Sequence, residues 1–116
     1  MAKADDLPIY RPAYELLLLV TQLTQQYPRG FRQGLARDIC TEAQYLVTHI
    51  FQANSTRNKA PIIERLREKL NVVRLQLRLS KDLRLISAGQ FGTTVVLTTS
   101  IGKQATAWLK YAEGRA

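Results

Sequence analysis

The side chains able to do chemistry in this sequence are mostly cations. Seventeen Lys and Arg stand against nine Asp and Glu in 116 residues, a formal charge of +8, which points to a polyanionic partner: nucleic acid, an anionic membrane surface or an acidic protein. The excess is local, because positions 57–84 hold nine basic and three acidic side chains. On a helix turning about 100° per residue, Arg67, Arg74, Arg78 and Lys81 fall within about 60° of arc and form one basic stripe. Like charges one turn apart repel, and a bound polyanion or acidic partner would offset that repulsion. Lys103 and Lys110, two turns apart on a later helix, add a smaller basic line and share their face with Val96.

Recognisable catalytic groupings are missing. His49 is the only histidine, and Glu42 and Gln52 do not complete a metal-ligand spacing around it. Without an orienting carboxylate or a nucleophile at a suitable distance, it is expected as a polar boundary residue rather than a general base. Ser80, Ser87 and Ser100 occupy no GxSxG turn. Gly89-Gln90-Phe91-Gly92-Thr93-Thr94 lacks the Gly-Lys-Ser/Thr and the preceding strand of a phosphate loop, so a capping role is expected there. Glu64 and Glu68, set among Arg65, Arg67 and Lys69, form a solvated ion-pair face rather than a metal site. The lone Cys40 excludes an internal disulfide and a cysteine-based metal cluster, and is expected as a small buried helix residue. Trp108 and the five tyrosines are expected to pack at the core edge or an interface, since base stacking needs an exposed ring beside positive charge. No enzymatic activity, cofactor or metal is expected.

These cations must be carried by helices. Apolar residues recur at helical spacing in four segments, about 12–27, 31–53, 60–85 and 88–112, separated by polar or Pro/Gly-containing turns. The first follows Leu7-Pro8-Ile9-Tyr10-Arg11-Pro12, where Pro12 can occupy the first helical turn without loss of a hydrogen bond; Tyr14, Leu17, Leu18 and Leu23 mark its expected apolar face. The second carries Leu35, Ile39, Ala43, Leu46 and Ile50. The third opens around Asn58-Lys59-Ala60-Pro61, with Asn58 or Ala60 as the expected cap position, and carries Ile62, Leu66, Leu70, Val73 and Leu77. The fourth begins at a Ser87…Gln90 capping box and presents Phe91, Val95, Gly102, Ala105, Leu109 and Ala112, with Gly102 and Ala105 allowing a neighbouring helix to come close. Alternation of the strand type never persists. The expectation is one domain over 1–116, an all-α, antiparallel up-down-up-down four-helix bundle.

On the third helix, Val72, Leu75 and Leu79 lie away from the stripe that one bundle would cover. With Val96 they are expected to form an oligomer interface, with a second copy as the natural cover. The longest apolar run, Leu16 to Val20, is far short of the roughly 20 residues that cross a bilayer. Met1-Ala2-Lys3-Ala4-Asp5-Asp6 is followed by no apolar signal region, so a cytoplasmic location is expected.

Several motifs, taken in order, resemble a known family. They are Leu7-Pro8-Ile9-Tyr10 with Tyr14-Glu15-Leu16, Tyr27-Pro28-Arg29, Arg74-Leu75-Gln76-Leu77-Arg78-Leu79, Ile86-Ser87, Ile101-Gly102-Lys103 and Trp108-Leu109-Lys110. The likeness, over about residues 7–112, is to the four-helix bundles that include the accessory variability determinant (Avd) proteins of diversity-generating retroelements and the ribosomal intervening-sequence proteins. It implies a non-enzymatic homopentameric barrel that binds RNA and DNA through a basic surface and associates with the element's reverse transcriptase, which copies a template RNA into adenine-mutagenised cDNA. Arg74 and Arg78 match the family's paired arginines, and Lys103 its basic position after the fourth-helix glycine. Thr106-Ala107 departs from the family's second small residue before the tryptophan. The intervening-sequence branch, whose role the resemblance does not establish, and a structural or membrane-surface adaptor are the alternatives; the strong positive charge favours the retroelement branch.

Overall fold

A computed structural model describes residues 3–114. Met1 and Ala2, on which part of the N-terminal expectation rests, and Arg115 and Ala116, the end of the expected domain, lie outside the described residues. After a short 3-10 turn, Ala4–Asp6, the chain forms four helical rods and, among the described residues, no strand. We number them α1 (Tyr10–Thr24), α2 (29–55), α3 (Ala60–Asp82) and α4 (Ala88–Ala112). Packing runs α1 to α2, α2 to α3, α3 to α4 and α4 back to α1. Each helix thus neighbours the next in sequence, as short turns require, and the result is an all-α four-helix bundle.

Local chemistry sets the ends of these rods. Pro12 falls in the first turn of α1, where its missing N–H has no intrahelical partner to lose. This helix stops at Thr24, three residues before the expected Tyr27, because Gln26 and Tyr27 donate backbone N–H groups in turns to Leu23 and Thr24. α2 starts at Arg29, earlier than expected, with one turn, Arg29–Phe31, then a π-helical turn, Arg32–Ala36, then regular helix over Arg37–Ser55. Its last carbonyls are closed by Lys59, whose ammonium donates to Ala53 at 2.7 Å, Thr56 at 2.8 Å and Asn54 at 3.3 Å. Lys59 is therefore also the residue preceding α3, in place of Asn58 or Ala60, and it caps the helix before rather than the helix after. α3 ends at Asp82, not Leu85: Arg84 N–H donates to Lys81 and Leu85 N–H to Ser80, a Schellman closure. The Ser87–Gln90 capping box opens α4 as expected, with reciprocal bonds of 3.0 and 2.8 Å.

The buried faces agree with the expected ones unevenly. α2 buries Ile39, Ala43, Leu46, Val47, Ile50 and Ala53, with Leu35 only half-buried. α3 buries Ile63, Leu66, Leu70, Val73, Leu77 and Ser80 in alternating threes and fours, so Ile63 replaces the expected Ile62. α1 buries Ala13, Leu16, Val20, Leu23 and Thr24, whereas Tyr14 and Leu18 are exposed. A continuous apolar run leaves the rotation of the helix undetermined, and the neighbours select Leu16 and Val20. The largest correction is on α4. Thr94, Thr98, Ile101, Ala105 and Leu109 face the core, Phe91, Gly102 and Ala112 sit at its edge, and Val95 is exposed. Thr94 and Thr98 can be buried because their hydroxyls donate to the Phe91 and Val95 carbonyls, so neither hydroxyl is left unpaired. Each large aliphatic side chain in this core contributes about 1.5–3 kcal/mol of burial energy.

Candidate nucleic-acid interface

α3 and α4 run antiparallel, so rising numbers on one meet falling numbers on the other. Between them lies a groove that α3 supplies with cations. Its wider half, about 450 Å³, is bounded by Arg67, Asn71 and Arg74 from α3 and by Thr99, Gly102 and Lys103 from α4. Its narrower half, about 250 Å³, is bounded by Arg74, Leu77 and Arg78 opposite Phe91, Val95 and Thr98. Arg74 borders both halves and divides them. Lys81 places its ammonium 5.3 Å from the Phe91 ring centre, a cation–π contact at the narrow end. Lys110 lines neither half, although it shares the α4 face of Lys103.

The basic stripe is thus on one side of the molecule, but its members are not equivalent. Arg67 pairs with Glu64 at 3.0 Å and Arg78 with Asp82 at 3.4 Å. Both pairs are solvent-exposed, and such pairs contribute about 0–1 kcal/mol, so a phosphate can compete for either arginine. Arg74 is anchored: Nη1 donates to Asn71 Oδ1 at 3.2 Å and Nη2 to the Thr98 carbonyl at 3.1 Å. Lys103 and Lys110 make no ion pair among the described residues. The sequence offered no signal for the Thr98 carbonyl or for Asn71 as anchors, since both depend on how closely two helices meet. Gly102, read as a packing residue, has the Leu70 and Arg74 side chains of α3 against it.

Val72, Leu75, Leu79 and Val96, the expected oligomer interface, are all exposed in one bundle, Leu75 and Val96 by 68% and 69%. Leu83, one turn beyond Leu79, continues the same apolar line and is exposed too; its spacing made it findable.

The remaining reactive groups do not gather into a second site. Among the described residues no three His, Cys, Asp or Glu side chains are placed to hold a metal. His49 is half-buried on α2, edge-on to Tyr45. Burial holds its pKa below the usual 6.5, the backbone of Tyr45 opposes this, and the positive charges of Lys69 and Arg65 reinforce the lowering. Lys69 itself lies 3.2 Å from a Glu42 carboxylate oxygen and 4.8 Å from the Tyr45 ring centre. Cys40 is half-buried rather than fully buried, with its sulfur 3.3 Å from the Thr24 hydroxyl. Trp108 packs half-buried against the core. No helix among the described residues is long and apolar enough to cross a membrane.

The fold is thus a four-helix bundle with a cationic groove between two helices and an uncovered apolar line on the same pair of helices. The bAvd-like family model matches residues 9–112, nearly the whole bundle, and the chain belongs to that family, a group of accessory proteins. No curated protein matches it.

Proposed function

We propose that this chain is a non-enzymatic accessory protein of a diversity-generating retroelement, acting in the cytoplasm, that binds nucleic acid through the α3/α4 basic face and associates with the element's reverse transcriptase during mutagenic cDNA synthesis. The observation that carries the reading is the convergence of Arg67, Arg74, Arg78 and Lys103 on one groove, in a chain of this family. Copies associate through Val72, Leu75, Leu79 and Val96 into a ring, a homopentamer by resemblance, which repeats the groove around the assembly. Lys81 and Lys110 extend the basic path at its two ends.

Phosphate neutralisation then supplies most of the affinity, and base sequence is scarcely read. Binding of RNA and DNA falls steeply with salt, and replacing Arg74 and Arg78 together with Ala lowers the slope by about 0.7–0.9 for each phosphate that is no longer neutralised. The same variant is tested in parallel for capture of the reverse transcriptase encoded beside it. A double variant that binds both partners as the wild type does would reduce the stripe to a solvated helix face.

A further inference from the structure

Placement, and not only charge, distinguishes Arg74 from the other cations. Its guanidinium is tied on both sides, to Asn71 on its own helix and to the Thr98 carbonyl on α4. It occupies the space that a side chain at position 102 would need, because a Cβ added to Gly102 would come within 2.7 Å of Nη2 and 3.7 Å of Cζ. The two anchoring bonds use two of the five N–H donors of the guanidinium and leave three. Arg67 and Lys103 border the same half of the groove, as do the hydroxyl-bearing Thr99 and Thr106.

We propose that the wider half of this groove is a discrete phosphate site, in which Arg74 is a pre-positioned ligand for one phosphodiester of a bound strand and Gly102 is the positioning residue that keeps it in the groove. The inference rests on the nucleic-acid reading above and goes beyond it, since a diffuse positive field needs cations but not their placement. A planar fork already fixed in direction loses little freedom when it binds phosphate, and its paired N–H groups match two oxygens of a tetrahedral anion. Arg67 and Lys103, from opposite walls, can meet the oxygens that Arg74 does not reach. Among the described residues the one carboxylate paired into this half is Glu64, on Arg67, and both members of that pair are open to solvent.

Gly102→Ala tests this without changing any charge. Alanine is the better helix former, and the clash falls on the far end of a flexible arginine, so the variant melts no lower than the wild type while its guanidinium is pushed out of the groove. Binding of a labelled single-stranded RNA is followed by fluorescence anisotropy over a salt series for the wild type, Gly102→Ala, Arg74→Ala and the double variant. The expected result is a loss of about tenfold for Gly102→Ala, as for removal of a charge-assisted hydrogen bond. Its salt slope falls by about 0.7, and the double variant is no weaker than Arg74→Ala alone.

Wild-type affinity and slope in Gly102→Ala, with Arg74→Ala impaired, would overturn the site and leave only a field. Were Gly102→Ala to destabilise the bundle, Asn71→Ala removes one anchor without touching α4, and unchanged RNA affinity there would overturn the proposal equally. If Gly102→Ala weakened only capture of the reverse transcriptase, the groove would be a carboxylate-binding face and the phosphate assignment wrong. Absence of RNA binding by the wild type would instead remove the nucleic-acid reading itself.

Discussion

The hydroxyl of Tyr27, in the turn after α1, lies beside the side chain of Ser80, near the end of α3. The tyrosine is 1% exposed and Ser80 fully buried, so this pair pins the first turn of the molecule to the far end of the helix that carries the basic stripe. Tyr27→Phe keeps the ring and leaves Ser80 its bond to the Gln76 carbonyl, so it is expected to cost no more than about 1.5 kcal/mol, whereas Tyr27→Ala costs about 3–5 kcal/mol. Burial, the largest influence, raises the Tyr27 pKa above 10.0, with the Ser80 side chain partly opposing it. Above pH 10 the unfolded chain therefore releases this proton first, and stability falls as pH rises. Spectrophotometric titration should find one tyrosine that ionises at higher pH in the folded protein than in the unfolded chain; no such tyrosine would refute the assignment.

Arg84 closes α3 with φ of 62°, in the left-handed region that favours glycine. The corresponding position after α4 is Gly114, with φ of 72°. Replacing Arg84 with Gly should stabilise the fold by about 1 kcal/mol, seen as a higher urea midpoint with an unchanged m-value. A lower midpoint would show that the arginine side chain contributes more than its backbone strain costs.

His49 predicts a pH dependence of the opposite hand. Its pKa is lowered in the folded state, so the unfolded chain takes up a proton first as pH falls through 6.5. Stability is fully present above that value and declines below it, until the folded state is protonated as well. The groups that face the ring are Tyr45 and Glu42 on α2, and Lys69 and Arg65 on α3. Urea midpoints at pH 7.5 and 5.5 should converge in His49→Phe, and an undiminished difference in that variant would place the effect elsewhere.

Leu75 is 68% exposed in one bundle, so Leu75→Glu should change the stability of a subunit by no more than about 0.5 kcal/mol. Under the proposed assembly it nevertheless buries a charge between copies. Light scattering is expected to show a wild-type oligomer and a variant shifted to single bundles with unchanged helical circular dichroism. A wild type that stays monomeric at tens of micromolar would remove the ring.

Local rules already contain much of this molecule. The Ser87–Gln90 box, Pro12 in a first turn, the buried face of α2 and most of that of α3 follow from hydrogen-bond accounting and helical spacing, which involve residues within one or two turns of each other. The concentration of net positive charge in positions 57–84 is likewise a property of the sequence. Rotation of α1 and α4 was decided only by tertiary packing. The run Leu16–Val20 is apolar on every side, and Thr94 and Thr98 become core residues because their own backbone satisfies their hydroxyls. Packing also separated the cations: along one stripe, Arg67 and Arg78 pair with carboxylates of their own helix, while Arg74 is held by a carbonyl on another helix and by the missing side chain of Gly102. Spacing along a helix determines which residues share a face; only the close approach of two helices determines which of them is held still.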